Sequence, residues 1–207
     1  MKKLAIIGAS GHGKVVADIA ETCGWEAINF FDDANGTKGT KNGAWPITGN
    51  VSDFILSSDT YTAVIVAIGN NEIRSKICDD LLARNIPLAT LIHPTATISR
   101  YAQIGPGSVV VAGSVINTYA SIGRGAIINT NSSIDHDCSL GNYVHISPGA
   151  NLAGNVCIGD KSWIGIGACV KQQIIIGNKV IVGAGSVVVK NVPDNMTVTG
   201  IPARPFQ

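Results

Sequence analysis

Long apolar runs are missing from this 207-residue chain. No stretch approaches the roughly 18 consecutive apolar residues of a membrane-spanning helix, so no span is expected. Charge is scarce as well. Fifteen Lys and Arg meet fourteen Asp and Glu, which leaves no basic footprint for nucleic acid or an anionic membrane. No Cys-x-x-Cys pair occurs, and the five cysteines (Cys23, Cys78, Cys138, Cys157 and Cys169) are odd in number. They read as reduced small hydrophobes of a cytoplasmic protein, not as disulfide partners or metal ligands. The opening Lys2-Lys3 faintly mimics a secretory leader, but only Leu4 to Ile7 is apolar before glycines begin, which is too short. Threonine is nearly absent between residues 98 and 188, where only Thr118 and Thr130 occur. That excludes the regular Thr-x-Thr ladders of an ice-binding prism.

What is present is a period of six. Every sixth residue from Ile98 to Val188 is aliphatic, sixteen positions without a break. Helices repeat near 3.6 residues and strands near 2, so the period predicts a hexapeptide β-helix, one short strand and one corner per hexad. Two residues before each aliphatic stands a small residue in twelve of the sixteen cases, the exceptions being Val144, Val156, Ile174 and Val180. Glycine often follows the aliphatic, as at Gly105, Gly123, Gly141, Gly159, Gly165, Gly177 and Gly183. These glycines are expected to permit tight corners. Three hexads make a coil, so the stretch holds about five coils stacked at about 4.8 Å. The sixteen aliphatics are expected to stack in one column. Each contributes roughly 1.5–3 kcal/mol gross on burial.

The chain is expected to divide into residues 1–88 and 89–207. The first part reads as a small α/β unit with a parallel sheet of three or four strands. Lys3–Ile7, Ile28–Phe31 and Thr62–Ile68 read as strands, Val51–Ser57 as a short helix or turn, and residues 34–44 as loop. A helix over 14–23 should place Val15, Val16, Ile19 and Ala20 on one side, and another should run from Ile73 to Arg84 with Asn70 or Asn71 as its cap. Ligands on such sheets bind beyond the carboxyl ends of the strands. Those ends carry Gly8–Gly13, Asp32-Asp33 and Gly69-Asn70-Asn71. The turn spells GxxGxG, which is neither the dinucleotide fingerprint nor a P-loop. A glycine turn opening a helix still offers N–H groups and a dipole end to a phosphate, and an acidic residue after the second strand suits a ribose or base. The alternative is a tight structural turn beside a solvated Asp pair.

Within the repeats, Asn129 to Asp137 is exceptional, and His136 and His145 fall on nearby hexads in the middle of the prism. A histidine beside a carboxylate can be fixed in one tautomer and made more basic. Read singly, each histidine is an exposed corner residue; together they point to catalysis. A zinc enzyme of the γ-carbonic-anhydrase kind needs three metal histidines across the prism, and only two are available.

Several stretches carry a resemblance: GASGHGKVVAD at 8–18, FDD at 31–33, AIGNNEIR at 67–74, LIHPTATIS at 91–99, INTNSSIDHDCSLGNYVHISPGANLAGNV at 128–156 and GIPAR at 200–204. With these the chain resembles the bacterial nucleotide-sugar acyltransferases of the left-handed β-helix superfamily. Within them it is similar to the UDP-4-amino-sugar N-acetyltransferases that make UDP-N,N′-diacetylbacillosamine. The sialic acid O-acetyltransferases are more distant.

The resemblance implies an α/β (Rossmann-like) N-terminal domain followed by a left-handed parallel β-helix. It implies a homotrimer with active sites between subunits. The activity implied is acetyl transfer from acetyl-CoA to the 4-amino group of a UDP-linked 4-amino-6-deoxy sugar, without a metal. His136 corresponds to the general base and Asp137 to its polarising partner, where the family usually has Glu. Asn129 corresponds to a residue near the sugar amine. His145, Gly154, Ile166 and Ala184 correspond to acetyl-CoA contacts, with glycine in the family at the last position. Ser10, Gly11, His12, Asp32, Asp33 and Gly69 correspond to the UDP-sugar pocket. Trp163 and Val144 are expected at outward corners, where only a partner subunit would make them welcome. A dTDP- or GDP-linked 4-amino sugar, or the sialic acid hydroxyl, is the alternative acceptor.

Overall fold

Strand β1 (Lys3–Ile7) lies at the heart of the first unit, buried from Leu4 onward. It pairs in parallel with β2 (Ala27–Phe31) on one side and β5 (Ala63–Val66) on the other. Beyond β2 the sheet continues with β4 (Trp45–Gly49) and ends at β3 (Lys41–Asn42), in the order β3-β4-β2-β1-β5. This is a computed structural model; it describes residues 1–34 and 39–206 and divides into two compact units, Met1–Pro94 and Thr95–Gln207. Among the described residues no helix is long and apolar enough to cross a membrane.

The five strands exceed the three or four expected. The segment expected as loop contains β3, which is antiparallel to β4. Gly43, at φ 67°, makes the reversal. Pro46 and the two-residue length of β3 hide this pair from a pattern search. Residues 35–38 of the expected loop lie outside the described residues.

Helix α1 (Gly11–Thr22) buries Val16, Ile19 and Ala20 as expected, but Val15 is 40% exposed. It begins three residues earlier than its apolar spacing suggests, so half of the glycine turn is its first turn. Helix α2 (Val51–Leu56) is closed by a capping box between Asn50 and Asp53. Helix α3 (Asn71–Ala83) is capped by Asn70, whose side chain accepts the Ile73 N–H.

The second unit is a parallel β-helix of two-residue strands in three sheets. Strands pair with those 18 residues away: Ile128 faces Val110 and Ile146, Ile134 faces Ile116 and Leu152, and Leu140 faces Ile122 and Ile158. The aliphatics therefore stack in three columns, not one, because successive hexads lie on different sides of the triangle. Val144, Val156, Ile174 and Val180 join the same core. Val144 is fully buried, which corrects its expected place at an outward corner; residues two before each aliphatic also point inward.

The glycines after the aliphatics do not make the corners. Left-handed residues recur every six positions two residues later, as at Gly107, Gly113, Tyr119, Gly125, Asn131, Asp137 and Tyr143. The other glycines serve close approach. A Cβ on Gly105 would stand 2.5 Å from the Arg124 amide nitrogen of the next coil, and one on Gly123 would stand 2.6 Å from Gly141. One edge carries an Asx ladder. Asn142 accepts the Arg124 N–H, Asp160 that of Asn142, Asn178 that of Asp160, and Asp194 that of Asn178. Buried Ser114 and Ser162 place their hydroxyls on the carbonyls of Asn129 and Gly177, so small polar residues fit inside without unsatisfied groups.

Candidate active site

The chain crosses from β1 to β2 and β4, then returns to β5 on the far side of β1. That reversal opens a cleft of about 420 Å³ at the carboxyl ends of the strands. Gly8, Ser10, Asp32, Asp33 and Gly69 line it, with apolar walls from Val51, Ile73 and Ile77. Gly11 and His12 follow in the first turn of α1 and are not among its walls. Space around Gly11 and Gly69 is open, whereas a Cβ on Gly8 would meet the Ala67 carbonyl at 2.8 Å, so Gly8 is required for packing.

Asp32 is buried and engaged with the main chain. One carboxylate oxygen accepts the Ala9 N–H at 2.5 Å and the other that of Ala34 at 2.7 Å. It ties the glycine turn to the end of β2. Asp33 accepts the Val51 N–H at 2.9 Å at the start of α2. His12 Nε2 is buried with no hydrogen-bond partner among the described residues. Burial, with the nearby Arg74 cation second, holds the His12 pKa down at about 4.

In the β-helix, His136 and Asp137 occupy the corner between Ser133–Ile134 and Ser139–Leu140. His136 Nδ1 lies 2.8 Å from Asp137 Oδ2. The His136 main-chain N–H donates to Asp135 Oδ1 at 2.8 Å, and Asn117, one coil below, donates to the same oxygen at 3.0 Å. The hydrogen bond to Asp137 raises the imidazole pKa first, and the Asp135 charge adds to it. Gly154 stands one coil above, next to the imidazole.

Asn129, His145, Ile166 and Ala184 gather elsewhere. They line a groove of about 520 Å³ along the preceding corner, with Ser147, Trp163 and Gly165. His145 is buried and stacks on Trp163, ring centroids 4.5 Å apart. Trp163 in turn donates its indole N–H to Ser147 Oγ at 2.7 Å. Asn129 Nδ2 lies 3.4 Å from His145 Nε2. Trp163 is thus half-buried on a face of the prism, not at a corner. Asn129 is parted from His136, and Gly154 from the other three residues expected along acetyl-CoA. Sequence reasoning missed Asp135, Asn117, Ser147 and Trp163. The 18-residue register relates Asn117 to Asp135 and Trp163 to His145.

Comparison with known proteins follows the same division. Residues 3–81 match the family model described as PglD N-terminal domain, and residues 119–154 match bacterial transferase hexapeptide, six repeats. UDP-N-acetylbacillosamine N-acetyltransferase of Bacillus subtilis (strain 168) is 37% identical over 117 residues, 54% of this chain. That match spans about half, 52%, of the curated relative's length. The acetyltransferase domain of PglB from Neisseria gonorrhoeae FA1090 is 46% identical with a TM-score of 0.94, each chain covered completely. It is also known in complex with acetyl coenzyme A. A mutant perosamine N-acetyltransferase from Caulobacter crescentus, in complex with CoA and GDP-perosamine, is 35% identical with a TM-score of 0.94, covering 100% of this chain and 98% of that one.

Proposed function

Because this chain belongs to the family of PglD- and PglB-type nucleotide-sugar acetyltransferases, we propose that it acetylates a nucleotide-linked amino sugar from acetyl-CoA. The acceptor we assign is the 4-amino group of UDP-2-acetamido-4-amino-2,4,6-trideoxyhexose, by analogy with the Bacillus subtilis relative. The observation that carries the reading is the His136–Asp137 pair at an open corner of the prism.

An ammonium has no lone pair to attack with. Asp137 takes the Nδ1 proton of His136 as a hydrogen bond, which leaves Nε2 as the acceptor. Nε2 removes a proton from the amine as its nitrogen bonds to the thioester carbon. The C–S bond then breaks, and the imidazolium returns the proton to the departing CoA sulfur. Such positioned proton transfer contributes roughly 10²–10⁴-fold. The oxyanion needs a donor, and in this reading the Gly154 amide supplies it, since those of His145, Ser147, Asn151 and Ala153 are spent on the next coil.

The cleft of the first unit is the nucleotide site in this reading. Gly69 leaves room on one wall, Ser10 and Asp33 bring polar groups to the lining, and the nearby start of α1 would offer N–H groups to a phosphate.

The acetyl-CoA groove and the base lie on successive corners of one prism, separated by the face of Ser133, Asn151 and Cys169. A single prism does not close the site. A second copy that brings its groove to the His136 corner completes it, which supports a cyclic trimer.

The test is CoA release, followed by thiol detection, with acetyl-CoA and a panel of nucleotide-linked 4-amino-6-deoxy sugars. Turnover confined to the UDP-linked sugar is expected. Preference for GDP-perosamine, the ligand of the Caulobacter crescentus complex, would replace the acceptor. No release with any amino sugar would overturn the function.

A further inference from the structure

A Cβ built on Gly154 would stand 2.6 Å from both Cε1 and Nε2 of His136, and 3.2 Å from Nδ1. Real side chains do not approach that closely. The three nearest atoms all belong to the imidazole, whereas Cβ atoms on Gly105, Gly123 and Gly159 would meet the backbone of the next coil. Nor does the backbone call for glycine here. Gly154 is not among the left-handed residues; that position in its hexad is Asn155, at φ 57°. An alanine at 154 therefore suits the local backbone, and the atoms its methyl would press on first all belong to the His136 ring.

That ring is fixed from two sides. Asp137 holds Nδ1 at 2.8 Å, and the main chain of His136 is pinned through its N–H to Asp135 and through its carbonyl to the Asn155 N–H at 2.9 Å. With the backbone pinned, a methyl at 154 can be relieved only by turning the ring about its side-chain torsions, which takes Nδ1 off Asp137. Where the ring does not turn, the methyl covers the Nε2 edge.

We propose that Gly154 is a positioning residue for the base: its missing side chain lets the His136 imidazole lie over the next coil with Nδ1 on Asp137 and Nε2 open to the acceptor amine. This rests on His136 being the base. It is separate from a contact of the Gly154 amide with substrate, since alanine keeps that amide.

The experiment is an NMR titration of His136 in the substrate-free full chain, wild type against Gly154→Ala, with kcat and both KM values measured on the same preparations. The His136 midpoint is expected to move down towards the ordinary 6.5 in the variant, and kcat to fall more than tenfold. In the Asp137→Asn background the same substitution should cost far less, because the contact it disturbs is already weakened. In the wild type, Gly154 Hα should show a nuclear Overhauser effect to His136 Hε1 and shift as the ring titrates. That readout needs no variant to fold. An unchanged midpoint in folded Gly154→Ala, or no contact between Gly154 Hα and the ring, overturns the proposal. An inactive wild type with the expected titration would leave the positioning intact and refute the function instead.

Discussion

The side chains of His136 and Asp137 meet at 2.8 Å because Asp137 is left-handed, at φ 59°. Neighbours in an extended chain point to opposite sides. The left-handed corner turns the second carboxylate back onto the ring. Asp and Asn are among the few non-glycine residues at ease there, so charge and backbone preference coincide.

Asp137→Asn keeps the left-handed preference and removes the charge. The raised His136 pKa means that the neutral, basic form dominates only above it, so with His136 as the base the acidic limb of kcat/KM should lie above the ordinary 6.5 in the wild type. In Asp137→Asn the limb should move to lower pH while the plateau falls by about tenfold or more. A pH–rate profile over pH 5–9 measures both, and a limb that stays put refutes the coupling.

Removing the proposed base is simpler. His136→Ala should lower kcat more than tenfold, with acetyl-CoA and acceptor KM within a few-fold of wild type. Steady-state kinetics decide it; turnover like wild type would exclude His136 as the base.

The split between corners gives a mixing test. His136→Ala and Ile166→Arg should each keep less than about a tenth of wild-type activity alone, the second because Ile166 lines the groove. Refolded together at equal amounts, they should regain about a quarter of wild-type activity by random association in a ring. Zero recovery, with mixed trimers confirmed by mass, would place the whole site in one chain.

Trp163 supports His145 by stacking. Trp163→Ala should raise the acetyl-CoA KM about three- to tenfold, in line with about 0.5–1.5 kcal/mol for an aromatic pair, and leave the acceptor KM unchanged. Equal changes in both KM values would show a general loss of structure.

His12 carries a stability prediction. Its pKa is held near 4, so between pH 6.5 and 4 the unfolded chain binds a proton that the folded chain does not. Stability therefore rises with pH across that window, by on the order of 3 kcal/mol. His12→Gln should flatten this dependence in denaturant melts at pH 5 and pH 7.5. An identical slope in both proteins would refute it.

The period of six was plain in the sequence because a buried aliphatic is needed on every side of the triangle. The stack of His145 and Trp163 was not, since reading along the chain finds neighbours at six and nine residues, while contact across coils occurs at eighteen. The same register places Gly154 over His136. The hairpin of β3 and β4 was lost for another reason: its residues are chosen for a turn and an edge, and carry little apolar alternation. Asp32 reads as a ligand group by its place after β2, but position could not show that it also ties the Ala9 and Ala34 amides together.

Each coil of the prism touches only the coil before and the coil after. Its stability is then close to a one-dimensional sum, and fraying starts at the terminal coils. His136 lies on the middle coil, two coils from either end. Local opening has to melt whole turns of the stack before it disturbs His136, so the proposed catalytic corner sits where amide exchange should be slowest.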